Sequence, residues 1–248
     1  LQNYWYLVLE SFFKIIFILL MVVSQTYGQS RDTVSIVSID FPLSLYKDAT
    51  QLSQNLYNGR IYYMYDSREI ESQFFIERKP FTGSISIEKQ TYHGIPLLYD
   101  LVKEEVVVRH FDGDFIIIPF VKVNGFTIHD HHFKKLIQGQ DINENMDTGF
   151  YDLAYDGTTK LIIRRIKLRQ EKIIDRSLIV EFHEKDQYFI KKNDYYYPVH
   201  SKKSVLNLLP EHKKELRRAA RSYENGFRKN REEAINKMVN IHDQLSKK

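Results

Sequence analysis

The sequence predicts a mainly β protein, an antiparallel meander that forms a barrel or a sandwich, with a C-terminal helical segment packed on it. From about Asp32 to His200, runs of β-forming residues alternate with turn signals at intervals of roughly 8 to 15 residues. After Pro198, strong helix formers replace them. We therefore expect a β-rich domain at residues 29–200 and C-terminal helices at residues 201–248.

The first 28 residues have the pattern of a secretory signal peptide. Lys14 precedes a nine-residue apolar run, and polar and small residues follow it as far as Gly28. A positive charge, a short apolar core and a small-residue exit are the three regions of such a leader. The residues before Lys14 lack an initiating Met and are interpreted as an upstream extension. A transmembrane anchor at residues 4–23 is the competing interpretation, but it would place Glu10 and Lys14 in the bilayer, which costs free energy.

Export predicts a location in the periplasm or at the outer membrane, with no membrane span after leader removal. The 248-residue chain has no cysteine. It therefore has no disulfide to support it outside the cytosol, and must be stabilised by its core, for which a chain of this length is large enough. The absence of cysteine also excludes a lipid-modified cysteine, Cys-based zinc sites, iron–sulfur clusters and thiol catalysis.

Four dipeptides carry the clearest turn signals, because Asn-Gly and Asp-Gly supply the positive φ angles of tight hairpins. The stretch from residue 106 to residue 129, VVVRHFDGDFIIIPFVKVNGFTIH, is predicted to form three consecutive antiparallel strands. The dipeptides are Asn58-Gly59, Asp112-Gly113, Asn124-Gly125 and Asp156-Gly157.

The C-terminal segment is predicted to contain three helices. Ser201 or Ser204 can cap the first, Pro210 suits the first turn of the second, and Asn230 can cap the third. The third helix has one apolar face, which we expect to cover the β domain. This face consists of Ile235, Met238, Val239, His242 and Leu245.

A cluster of histidines in GFTIHDHHFKKL, residues 125–136, suggests a metal site. On a strand, His129 and His131 would point to the same face and could both bind one metal ion. The alternative is an ordinary polar cluster, since the sequence nominates no third ligand. No other catalytic or cofactor-binding motif is present, so we expect no cofactor.

The C-terminal segment is basic, with thirteen Lys and Arg against six Asp and Glu in residues 201–248. Its second helix could bind an anionic surface, or its charges could simply be solvated. Export and the lack of a recognisable nucleic-acid-binding motif argue against a nucleic-acid partner. The candidate anion-binding residues are Lys213, Lys214, Arg217, Arg218 and Arg221.

Three stretches, GIPLLYDLVKEEVVVRHFDGDF, GFYDLAYDGTTKLIIRRIKL and YYPVHSKKSVLNLLPEHKKELRRAARS, resemble uncharacterised exported β-rich proteins common in Bacteroidetes-type bacteria. The resemblance implies an envelope location and supplies no activity or catalytic residue.

The expected function is a non-enzymatic binding or structural component of the cell envelope. Its partner would be an envelope protein or polymer, such as a glycan or an anionic lipid. The alternative is an envelope hydrolase acting on glycans or lipids, with a site built from scattered residues. An enzyme should have a pocket in which acids, bases or histidines converge, whereas a binding module should have an exposed apolar patch.

Overall fold

The computed structural model describes residues 55–64, 72–221 and 226–247. The predicted signal peptide at 1–28 and the first part of the predicted β domain, up to residue 54, lie outside the described residues.

The described strands all pair antiparallel, and eleven of them form one sheet in the order β1-β5-β4-β3-β2-β6-β7-β8-β9-β12-β13. The edge strands β1 and β13 do not pair with each other among the described residues, so this sheet is not closed into a barrel. The prediction of a mainly β, antiparallel fold is confirmed. The strands are β1 (Arg60–Ile61), β2 (Phe81–Ile87), β3 (Gln90–Asp100), β4 (Glu105–Arg109), β5 (Phe115–Ile118), β6 (Val123–Ile128), β7 (His131–Leu136), β8 (Gly149–Asp156), β9 (Lys160–Arg164), β10 (Lys167–Ile174), β11 (Ser177–Glu184), β12 (Gln187–Lys192) and β13 (Tyr195–Val199).

Strands β10 and β11 form a separate two-stranded hairpin, which we call the arm. Their eight residue pairs run from Lys167 opposite Glu184 to Ile174 opposite Ser177. The turn residues Asp175 and Arg176 both have positive φ, 50° and 64°. Such angles give a tight turn that matches the strand twist, here without glycine.

The predicted three-strand run is only partly correct. Strands β4 and β5 pair through the predicted turn at Asp112-Gly113, but β6 pairs with β2 and β7 instead of β5. Asn124-Gly125 lies inside β6, so the turn predicted there is wrong. Gly125 is required for a different reason: a Cβ atom there would lie 2.6 Å from the carbonyl oxygen of Phe133 on β7.

Two apolar cores, the largest of four buried apolar clusters in the described residues, lie along the sheet. The first is rich in aromatic rings, with Phe126 stacked on Phe133 at 4.7 Å between ring centres and Tyr99 edge-on to Phe126 at 5.0 Å. The second lies between β9, β12 and β13 and the C-terminal helices, and includes the buried side chains of Leu161, Ile190 and others. The helices are therefore part of the fold's core and not an appendage.

The helices are α1 (Lys202–Leu208), α2 (Lys213–Ala219), α3 (Gly226–Lys229) and α4 (Arg231–Ser246). Ser201 and Ser204 cap α1 reciprocally, as the backbone N–H of each donates to the other's hydroxyl oxygen at 3.1 Å. The second helix begins at Lys213 and not at the predicted Pro210.

Helix α4 presents the predicted apolar face to the second core. Ile235, Met238 and Val239 are fully buried, His242 is buried, and Leu245 is half-buried. None of the described helices is long and apolar enough to cross a bilayer.

Candidate functional site

Arg165 gathers three carboxylates where the large sheet, the arm and α4 meet. Arg165 lies in the short link between β9 and β10, and its side chain is buried. Nε and Nη2 donate to Oδ2 of Asp152 at 2.8 and 2.5 Å. Nη1 and Nη2 donate to the two carboxylate oxygens of Glu232 at 2.8 and 2.7 Å, and Nη1 also donates to Asp186 at 3.2 Å. We call these four residues the Arg165 cluster.

Burial acts to lower the pKa of Arg165, but the hydrogen bonds and charges of Glu232 and Asp152 outweigh it and raise that pKa. The guanidinium is therefore charged at all accessible pH values. The cluster connects β8, the loop between β11 and β12, and the first turn of α4. It is thus an ionic cross-link between the sheet and the helices.

His131 extends the cluster through Asp152. Its Nδ1 lies 2.7 Å from Oδ2 of Asp152, the same oxygen that accepts from Arg165. An ionised carboxylate can only accept, so Nδ1 carries the proton. The hydrogen bond to Asp152 raises the pKa of His131, while burial and the charge of Arg165 oppose the rise. In the neutral ring, Nε2 is left as the basic nitrogen.

A pocket of about 880 Å³ opens over this junction. Its walls include His131, Arg165 and Glu232, together with Asp186 and Tyr188. Four basic residues also line it, Lys185, Arg228, Lys229 and Arg231.

Two further groups in the pocket have shifted pKa values. Burial raises the pKa of Asp186, with a contribution from nearby Glu184, although Arg165 opposes the rise. Burial, with the charge of Asp186, raises the pKa of Tyr188 to about 12. A histidine and a carboxyl group with raised pKa values in one pocket are the groups that general acid–base chemistry uses. A purely structural role accounts for the same contacts, because Arg165 binds all three carboxylates, although Oδ1 of Asp152 is buried without a hydrogen-bond partner.

The predicted metal pair is not formed as expected. His129 and Asp130 form the turn between β6 and β7, so His129 is not on a strand, and its φ is 53°. Its ring lies 4.4 Å from the ring of Phe81, whereas His131 bonds to Asp152. In residues 55–64, 72–221 and 226–247, no group of three or more His, Asp or Glu side chains is arranged to hold a metal ion. The strand geometry on which the prediction depended is therefore wrong.

The predicted anion-binding residues are all exposed on and just after α2. The five residues are Lys213, Lys214, Arg217, Arg218 and Arg221. Lys202 of α1 lies close enough to this basic surface to be affected by it: burial lowers the pKa of Lys202, and the charges of Arg221 and Arg217 lower it further.

The arm carries the most concentrated exposed apolar surface of the described residues. Ile173 is 78% exposed and Leu178 is 61% exposed, and these two residues are directly paired across the hairpin. The remaining exposed aliphatic residues of the arm are Leu168, Ile174 and Ile179. Single exposed apolar residues are common on protein surfaces, but a group of five on one hairpin is a feature of interaction sites.

Comparisons of the chain with protein-family models, curated proteins and solved structures found no match. The interpretation of both regions therefore depends on their physical chemistry alone.

The sequence did not predict the Arg165 cluster, because the three carboxylates lie 13 to 67 residues away from Arg165 in the chain and share no local pattern with it. The arm did leave a signal. In IIDRSLI, residues 173–179, two adjacent aliphatic residues stand on each side of a short polar turn. A strand with one solvated face would alternate apolar and polar residues, so adjacent aliphatic residues predict a hairpin with apolar groups on both faces.

Proposed function

We propose that this protein is an exported, non-enzymatic binding component of the cell envelope, and that the arm is the element that contacts its partner. The observation that carries the proposal is the group of exposed aliphatic side chains on the arm. Burying one Leu or Ile side chain contributes about 1.5–3 kcal/mol, so covering even part of this surface would drive association.

The location follows from the leader pattern at residues 1–28, which supports export, and from the resemblance to exported proteins. The partner is an envelope protein or an envelope polymer. The exposed basic residues of α2 would favour an anionic partner surface, with a binding strength that falls as salt is added.

Co-sedimentation with isolated bacterial envelopes tests the proposal. The purified protein should sediment with the envelopes, and the double substitution Ile173→Asp and Leu178→Asp should reduce the bound fraction about tenfold, because an aspartate cannot be buried without a large desolvation cost.

The matched control is Val121→Asp, which changes a side chain that is 79% exposed but lies outside the arm. This variant should sediment like the unmodified protein. Equal sedimentation of the arm variant and the control would overturn the proposal.

An envelope hydrolase is the second candidate function, and the observation that favours it is the His131–Asp152 pair in a pocket with Asp186. In this case His131 would act as a general base toward water through Nε2, and Asp186 would supply a proton to the leaving group.

The measurement is the release of reducing ends or fatty acids from envelope glycans and phospholipids. An activity that His131→Gln abolishes, and that His132→Gln at the exposed neighbouring position leaves intact, would support the hydrolase. Release no faster than without the protein would overturn it.

A further inference from the structure

A second pocket, of about 670 Å³, lies at the far side of the first core and is lined by residues 57–60, 104–106 and 117–120, with Phe150. We call it the β5 pocket. Its volume is within the range of about 300–1,000 Å³ that is typical of small-molecule sites. It shares no lining residue with the pocket over the Arg165 cluster. Its walls include Tyr57, Asn58, Arg60, Glu104, Glu105 and Phe120.

The charged groups in the wall of the β5 pocket are balanced. Nε and Nη2 of Arg164 donate to the two carboxylate oxygens of Glu104 at 3.0 and 3.1 Å. Nη2 of Arg60 donates to Oε1 of Glu105 at 3.4 Å. Each carboxylate therefore has a cation beside it, and a neutral ligand enters this pocket without leaving a charge unpaired.

Glu105 has hydrogen-bonding capacity that the chain leaves unused. A carboxylate offers about four acceptor positions. Oε1 accepts one long bond, from an Arg60 side chain that is 81% exposed, and Oε2 is buried without a hydrogen-bond partner among the described residues. Buried acceptors without a partner are rare in folded proteins. The Glu105 side chain lines the pocket and is 23% exposed, so a hydroxyl group in the pocket can donate to it.

Two aromatic rings give the β5 pocket flat apolar surface. Phe120 is 37% exposed and Tyr57 is half-buried. The ring of Phe120 lies edge-on to buried Phe150 at 5.0 Å between ring centres, and the ring of Tyr57 lies edge-on to His110 at 4.7 Å. These contacts fix both rings, while part of each remains open to the pocket.

A sugar ring matches all of these properties. It carries no charge, one face of a pyranose consists of C–H groups that pack on an aromatic ring, and its hydroxyl groups donate to carboxylates. Amide and guanidinium groups donate in turn to sugar oxygens. In this pocket Phe120 and Tyr57 supply the apolar surface, while Asn58, Arg60 and Glu105 supply the hydrogen bonds.

We infer that the β5 pocket is a carbohydrate-binding site that takes a short segment of a neutral glycan. The site is separate from the arm, and the inference does not depend on the arm being the element that contacts an envelope partner. It gives the protein a second contact, which recognises polymer chemistry instead of an apolar surface.

Other classes of ligand fit this pocket less well. A phosphate group would lie against two carboxylates, and Arg60 is the only cationic residue that lines the pocket in the described part of the chain. An ammonium ion would compete with Arg60 and Arg164 for carboxylates that they already bind. An acyl chain would cover Arg60 and Glu105 with hydrocarbon, which is costly for charged groups.

Isothermal titration calorimetry with triacetylchitotriose and with maltotriose, two soluble neutral trisaccharides, tests the inference. At least one of them should bind the purified protein with a dissociation constant below about 1 mM. Binding of neither trisaccharide at concentrations up to about 10 mM would overturn the inference. Tighter binding of sodium phosphate or of ethylammonium chloride than of either trisaccharide would also overturn it.

Two substitutions test whether the sugar occupies the β5 pocket. Glu105→Gln removes the charged acceptor and Phe120→Ala removes the aromatic surface, and each should weaken binding about tenfold. Glu105→Gln preserves the size of the side chain. Its melting temperature without sugar should equal that of the unmodified protein, so this variant separates a lost contact from a folding defect.

Each substitution has a matched control outside the pocket. Glu77→Gln changes a carboxylate that is 4.0 Å from Lys79, a cation also 81% exposed, and Tyr195→Ala removes a ring that is 46% exposed on β13. Both controls should bind the trisaccharide like the unmodified protein. Equal affinities for the two pocket variants and their controls would contradict the β5 pocket as the site.

The outcomes also separate this inference from the proposed function. The arm variant with Ile173→Asp and Leu178→Asp should bind the trisaccharide with unchanged affinity. A protein that sediments with envelopes through its arm but binds no sugar would overturn the sugar site alone. A protein that binds sugar, and whose arm variant sediments as well as the control, would keep the sugar site and overturn the role of the arm.

Discussion

The Arg165 cluster and the arm are neighbours in the chain, and they differ in how their side chains are satisfied. In the cluster, Arg165 and Asp152 are buried, Asp186 and Glu232 are partly buried, and each carboxylate binds the guanidinium of the same chain. In the arm, aliphatic groups such as Ile173 are exposed. A buried ion pair is expensive to break but needs nothing from outside, whereas an exposed apolar hairpin gains free energy only when another surface covers it. The comparison separates a part that holds the fold together from a part that is available for association.

The largest expected effect follows from removing the centre of the cluster. Arg165→Met should lower the free energy of unfolding by about 3–5 kcal/mol, because it leaves buried carboxylates without their cation. Urea denaturation measures the change. Arg109→Met, at an exposed position, is the control and should have a small effect. A loss of less than about 1 kcal/mol for Arg165→Met would contradict a structural role for the cluster.

A smaller effect is expected from the pH dependence of His131. Its pKa is raised in the folded state, so the folded protein binds the proton more tightly than the unfolded chain. The stabilisation is complete below the unfolded pKa of about 6.5 and is lost as pH rises through the folded pKa.

Unfolding curves of the unmodified protein and of His131→Gln, measured between about pH 6 and pH 9, would detect this loss. The stability difference between them should shrink as pH rises. A difference that grows with pH would mean that the Asp152 contact does not govern the titration.

The smallest effect on stability is expected in the arm. Leu178→Asp should change the free energy of unfolding by no more than about 0.5 kcal/mol, since the side chain is exposed. Leu161→Ala in the second core should cost about 2–5 kcal/mol. Similar losses of unfolding free energy for the two variants, measured on dilute protein, would show that the arm is a packed part of the fold. They would contradict the difference between the arm and the buried parts of the molecule.

Local sequence patterns predicted the fold class and the helical end of the chain. The capping residues Ser201 and Ser204 and the apolar face of α4 were predictable because each depends on residues within a few positions of one another. Turn prediction was less reliable. Asn124-Gly125 has the composition of a tight turn, yet Gly125 is needed where β7 passes close by, and the actual turn at His129-Asp130 contains no glycine.

The Arg165 cluster could not be predicted from the sequence, and the reason is physical. Asp152, Arg165 and Glu232 meet only because β8, β9 and α4 pack together, and single charged residues on separate elements carry no periodicity. The strand geometry assumed for His129 and His131 was wrong because β6 ends at Ile128, one residue earlier than the prediction required, which places His129 in a turn. The adjacent aliphatic residues around Asp175-Arg176 were a readable signal, and they identify the arm.

Amide hydrogen exchange of the arm, with and without its partner, tests the central claim most directly. The purified protein would be compared alone and with bacterial envelopes. The account predicts that amides of β11 gain protection with envelopes, while those of β8 and β9 exchange equally slowly under both conditions. Unchanged exchange of β11 would contradict the claim that the arm is the element that binds a partner.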